Sequence, residues 1–213
     1  TNRQLRPASN DVHFAVMTSG HNSVTNGFLL NAFKMVLKYL EKDEIQMVHY
    51  PDFFEEGYKH KFDKDIYHYL DSVARNDQYQ MDRGFCHRLL RCSVTIWQLK
   101  NIDELKAKYQ EVIEVLENSY PGEPNTSDLQ QLKGMIREFE EELVWAYNGV
   151  QVNHVHHLHL GFYQDKGITK GVNVERDVMP IVRQFREIQP DIISVTLDPE
   201  GSGPDTHYKV LQA

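Results

Sequence analysis

The chain has 213 residues and a formal net charge of −8, with 25% charged and 40% hydrophobic residues. That composition suits a globular protein of one domain, or one domain with a large insertion. The acidic balance speaks against a nucleic-acid backbone or an anionic membrane as a main partner, and no run approaches the ~18 apolar residues of a membrane span. No signal peptide is expected from the opening residues. Cys86 and Cys92 offer neither a zinc-knuckle spacing nor a disulfide framework. A reducing, cytoplasmic setting is therefore expected.

Thr1 to Leu5 read as the end of a helix stopped by Pro7. Opening in mid-element and without an initiator Met, the chain is expected to belong to something longer. Asp11 to Met17 predicts a central strand ending at Thr18-Ser19-Gly20. Leu29, Ala32, Phe33, Val36, Leu37 and Leu40 recur at helical spacing and predict a helix over 28–42. Further helices are predicted at 65–75, 81–99 and 101–118, the last with Asn101 and Glu104 in capping-box positions. Tyr120 to Pro124 is a break. Ser127 caps the next helix, which runs to Tyr147 and stops at Asn148-Gly149.

Val150 to Leu160 alternates as a strand does, and Asn173 caps a helix over 174–188. Ile192 to Leu197 is an apolar run that breaks at Asp198-Pro199 into a loop rich in Gly and Pro, and a helical pattern resumes after His207. Strands separated by helices indicate an α/β fold: a Rossmann-like parallel sheet with helices on both faces. The strandless stretch at about 45–125 reads as a large helical insertion in one domain covering 1–213. Gly201-Ser202-Gly203 does not complete a phosphate-binding glycine loop.

In an open α/β sheet, ligands sit beyond the carboxyl ends of the strands. Asp198, Asp205 and His207 fall there. The plain reading of His207 is an exposed histidine in a first helical turn. The sharper one is a metal ligand partnered by Asp198 or Asp205. Thr18 and Ser19 either bond a polar ligand or cap their loop. Phe162 and Tyr163 either line a pocket or close the core. Arg137 and Glu140 form an i, i+3 pair that suits a helix surface equally well. The tract His154-Val155-His156-His157-Leu158-His159 is rich in imidazole. On a strand, however, His154 and His156 face opposite to His157 and His159, so the four cannot share one ion.

Read together, these segments resemble the PIG-L (LmbE-like) zinc-dependent N-deacetylases, and within them the branch fused behind a glucosamine-6-phosphate deaminase domain. The matching stretches are Asp11 to Gly20, Ile136-Arg137 through Glu140 to Val150, Leu158 to Tyr163, and Asp191-Ile192-Ile193 through Asp198-Pro199 to Thr206-His207. The resemblance implies zinc held in part by His207 and a substrate contact by Arg137 supported by Glu140, while Asp198 and Asp205, from their place beyond the strand end, are the candidate catalytic carboxylates. Thr18, Ser19, Phe162 and Tyr163 would line the substrate site. The implied reaction removes an N-acetyl group from a glucosamine-type sugar or sugar phosphate. An amino sugar and a fused deaminase domain are the implied partners, and homo-oligomerisation is left open.

The family's His-Pro-Asp-Asp motif is absent from these residues. Pro204 also stands where a second histidine is common. A single histidine cannot hold catalytic zinc, so these 213 residues are expected to be inactive alone. The alternatives are a non-catalytic module that binds sugar or supports a deaminase domain, and a helical interaction module.

Overall fold

Apolar residues at helical spacing dominate the chain, and helices are what they form. A computed structural model describes residues 10–50, 52–56, 63–120, 123–163, 170–195 and 205–213. The helices are α1 (Asn26–Glu41), α2 (Phe53–Glu56), α3 (Asp63–Ala74), α4 (Gln78–Trp97), α5 (Ile102–Asn118), α6 (Ser127–Tyr147), α7 (Met179–Ile188) and α8 (Asp205–Gln212). Two strands, β1 (Phe14–Val16) and β2 (Val155–His157), pair in parallel. The protein is therefore mainly helical, which corrects the expected Rossmann-like α/β fold. None of the described helices is long and apolar enough to cross a membrane.

The physical reason lies in the strands. A parallel sheet flanked by helices needs strands buried on both faces, whereas Ala15 in β1 is exposed and His156 and His157 in β2 are only half-buried. The expected third strand fares worse. Ile192, Ile193 and Val195 are 81%, 53% and 51% exposed, and none of the described residues joins them in a ladder. Residues 196 and 197, the rest of that run, lie outside the described residues.

The chain divides into two units, Thr1–Phe14 with Gly20–Val155, and Ala15–Ser19 with His156–Ala213. In the first, Leu29, Phe33 and Val36 of α1 share one core with Cys86, Leu89 and Leu90 of α4. Leu105, Tyr109 and Val112 of α5 and Leu132 and Ile136 of α6 complete it. The stretch expected to be an insertion is thus part of the core itself. Tyr109 is fully buried, its ring edge-on to Phe33 at 4.6 Å and its hydroxyl 2.9 Å from Ser93 Oγ. Helix α3 adds Ile66 and Tyr69 against Phe139 of α6. It approaches α4 at Gly84, where a Cβ would sit 3.1 Å from the Tyr69 ring. Cys86 and Cys92 are buried and form no disulfide, as their spacing implied.

Local signals set the helix ends. Asn101 accepts from the Glu104 N–H at 2.9 Å, and Glu104 reaches back to the Lys100 N–H at 2.9 Å. Thr126, one residue before the expected Ser127, is the N-cap of α6, and Gly149 follows its end at φ +86°. Gly supplies that left-handed turn without a Cβ penalty.

One buried ion pair ties α4 to α6. Arg88 Nη1 and Nη2 donate to the two carboxylate oxygens of Glu142 at 2.8 and 3.4 Å, with the side chains 1% and 0% exposed. The Phe139 ring lies 5.3 Å from the guanidinium carbon. Elsewhere on α4, burial pushes the His87 imidazole down to about 4 from its ordinary 6.5, and Arg83, Arg91 and His68 push the same way.

In the second unit, Leu160, Phe162 and Ile181 form a small core with Met17, Leu158, Tyr163, Val210 and Ala213 against it. Asp177 organises the loop around this core. Its fully buried carboxylate accepts from the Phe162 N–H at 3.0 Å and the Asn173 N–H at 2.9 Å, and Arg176 grips it with Nε and Nη2. Burial raises its pKa, but the bonds from Arg176, Asn173 and Phe162 outweigh this and hold it below the ordinary 3.8.

Glu142→Ala strands the Arg88 charge in the core and costs about 3–5 kcal/mol, a fall in Tm of roughly 10 °C. Replacing Arg88 by Met and Glu142 by Leu together recovers most of that loss, and a single-variant loss below ~1 kcal/mol would contradict the assignment. Asp177→Ala leaves the buried Phe162 N–H and the part-buried Asn173 N–H unmatched and costs about 3 kcal/mol in urea unfolding. Because the folded Asp177 pKa is lowered, its contribution is present above the ordinary 3.8 and is lost as pH falls through the folded value. His87 loses stability over a different window. Between 6.5 and about 4 the unfolded chain takes up a proton that the folded chain does not. Stability therefore falls as pH drops through that window, and His87→Gln flattens the dependence of Tm on pH there.

Candidate functional site

The residues marked in the sequence fall in both units. In the first, Gly20 takes φ +62° and opens a short turn, His21–Ser23, in which His21 is buried. That conformation favours glycine. It also lets the backbone lie on the Arg137 side chain, whose Cγ and Nε would each be 3.5 Å from a Cβ at Gly20. Arg137 thus projects from α6 beneath the turn. Its guanidinium donates to Glu140, one helical turn on, and to Glu141 at 3.5 Å. Both carboxylates are partly solvated and the Arg137 side chain is 33% exposed. The guanidinium is held in place yet reaches solvent, as a group that binds an anion or a polar hydroxyl must.

On the same helix, Lys133 is buried beside two amide oxygens, Asn26 Oδ1 at 2.6 Å and Asn125 Oδ1 at 2.5 Å. It fastens the start of α1 to α6. Farther along α6, Trp145 stacks on Phe14 with ring centroids 3.4 Å apart.

In the second unit, the carboxyl ends of the strands meet α8. The Leu158 and Leu160 N–H groups donate to the carbonyls of Val16 and Met17 at 2.9 and 2.8 Å. Thr18 and Ser19 follow directly, both half-buried. Phe162 is fully buried, and Tyr163 packs on the same core as Val210, which lies less than one turn beyond His207. Phe162 therefore closes a core, while Tyr163 stays partly accessible. Asp205 and His207 are exposed in the first turn of α8. Asp198 lies outside the described residues.

The His154–His159 tract does not run as one strand. His154 ends a short turn, β2 stops at His157, and His159 takes a left-handed φ of 49°. The rings of His157 and His159 are 6.3 Å apart and tilted. Among the described residues, no group of three converging metal-ligand atoms includes His207 or Asp205.

Asp177, Asp11 and His13 were not among the candidate site residues of the sequence. Asp177 sits four residues past the Asn173 cap, where an acidic residue in a first helical turn is unremarkable. Asp11 and His13 had a readable signal, since i, i+2 spacing puts both on one face of an extended segment.

No family model matches the chain, and no solved structure does. A curated protein of Bacteroides thetaiotaomicron, named as a glucosamine-6-phosphate deaminase-like protein, is 33% identical over 101 residues. The match takes in 46% of this chain and spans 15% of that relative's own length.

Proposed function

We propose that this chain is a sugar-binding part of a longer protein of amino-sugar metabolism. The observation that carries the reading is the 33% identity over 101 residues to the glucosamine-6-phosphate deaminase-like protein. Two features support a polar, anionic ligand. Arg137 is pinned under the Gly20 turn by Glu140 and Glu141 and remains part-exposed. Independently, in the second unit, the half-buried Thr18 and Ser19 offer hydroxyls of the kind that bond a polar ligand.

The finer reading is a PIG-L-like hydrolase that removes an N-acetyl group with zinc as Lewis acid. It rests on the resemblance of the His207 segment and of the Arg137 helix to that family. The alternative is a non-catalytic module that binds amino sugar or supports a deaminase domain. Its support is Pro204, which stands where a second histidine is common in that family.

Calorimetric titration with glucosamine-6-phosphate tests the common core of both. Binding is expected to exceed that of glucose-6-phosphate. Arg137→Ala should weaken it roughly tenfold or more, with partial recovery in Arg137→Lys. Equal affinity for the two sugars, or an unchanged affinity in Arg137→Ala, would overturn the reading. Acetate release from N-acetylglucosamine-6-phosphate separates hydrolase from binding module.

A further inference from the structure

We propose that Asp11, His13 and His154 form a site for a borderline divalent cation of the zinc type. The site lies at the amino ends of both strands and is separate from the ligand surface assigned to Arg137. Asp11 and His13 directly precede β1, and His154 directly precedes β2. Their imidazoles stack with centroids 4.1 Å apart and planes 16° from parallel. His13 Nε2 lies 3.5 Å from one Asp11 carboxylate oxygen, and His154 Nδ1 lies 3.2 Å from the other. Both nitrogens therefore face the same carboxylate, and one ligand atom from each residue falls within 4.8 Å of the others.

The chemistry of the donor set selects the ion. Two imidazole nitrogens and one carboxylate oxygen suit zinc, cobalt or nickel, with water completing the shell. Magnesium and calcium prefer all-oxygen shells. Neutral imidazoles present lone pairs to such an ion, and the carboxylate between them supplies the balancing charge. Nearly parallel rings cannot both aim in-plane lone pairs at one point, so one ring must turn about its Cβ–Cγ bond. The Asp11 side chain, 75% exposed, is free to follow. The histidines are about 20% exposed, 21% for His13 and 20% for His154. They are thus shielded but open to an ion from solvent. A cation here would clasp two segments far apart in sequence, so binding adds to folding stability.

The test is titration of metal-free chain with zinc chloride, by calorimetry and thermal melting, with cobalt absorption as a spectroscopic readout. One equivalent of zinc is expected, with Tm rising by about 5–10 °C at a hundredfold excess over Kd. Asp11→Asn, His13→Gln and His154→Gln should each weaken binding at least roughly tenfold and abolish the visible bands of bound cobalt. His207→Ala should bind as the parent does. Asp11→Asn changes only an exposed side chain, so it decides the matter if a histidine variant fails to fold. Zinc binding unchanged in all three variants, or lost only in His207→Ala, overturns the proposal. So does magnesium binding as tightly as zinc, or the absence of zinc binding tighter than ~100 µM. Loss only in His207→Ala would leave the amino-sugar reading standing, and sugar binding unaffected by Arg137→Ala would leave this one standing.

Discussion

A charge pair inside an otherwise apolar helical body fixes the register of the first unit. Arg88 and Glu142 are out of contact with water, so neither charge is tolerable without the other. Sliding or rotating α6 against α4 by one residue would strand both, whereas apolar contacts alone allow many nearby packings. The consequence runs along α6. With Glu142 fixed, Phe139 meets Tyr69 of α3, Lys133 reaches Asn26 at the start of α1, and Arg137 lies under Gly20. The candidate ligand-binding arginine thus takes its position from a buried pair farther along the same helix.

The second unit solves the same problem with a different device. Asp177 gathers two backbone N–H groups and a guanidinium around one buried carboxylate. It thereby determines where the segment leaving β2 turns. Phe162 is held by its own N–H, and Arg176 is bent back over Gly161. Tyr163, Met17 and Val210 then share one small core, which brings the strand ends and α8 together without a large sheet.

The helices were legible in the sequence because their signals are local. Apolar spacing marked α1, the Asn101 and Asn173 caps marked the starts of α5 and of the turn before α7, and Gly149 marked the end of α6. The sheet was not legible, because β-branched runs report only that a segment can be extended. Whether neighbours exist to pair with it is a tertiary matter. The runs at 11–17 and 150–160 thus yield three paired residues each. The stretch from α3 to α5 read as an insertion because it lacks strands, yet its apolar faces close against α1 and α6. Arg137 with Glu140 was readable from helical spacing. The Asp177 strut and the grouping of Asp11 and His13 with His154 join residues distant in sequence, and only packing reveals them.

The exposed segment Ile192-Ile193-Ser194-Val195 bears on how the chain behaves in a crowded solution. Three strong β formers, Ile192, Ile193 and Val195, in an uncharged exposed stretch are the kind of sequence that templates pairing between molecules. The flanking residues oppose this. Pro190 lacks an N–H to offer a ladder, and Asp191 puts a charge at the end of the apolar run. These two residues are gatekeepers, and the overall charge of −8 adds repulsion between copies. Colloidal stability of the chain is thus set in part by two residues outside the core clusters.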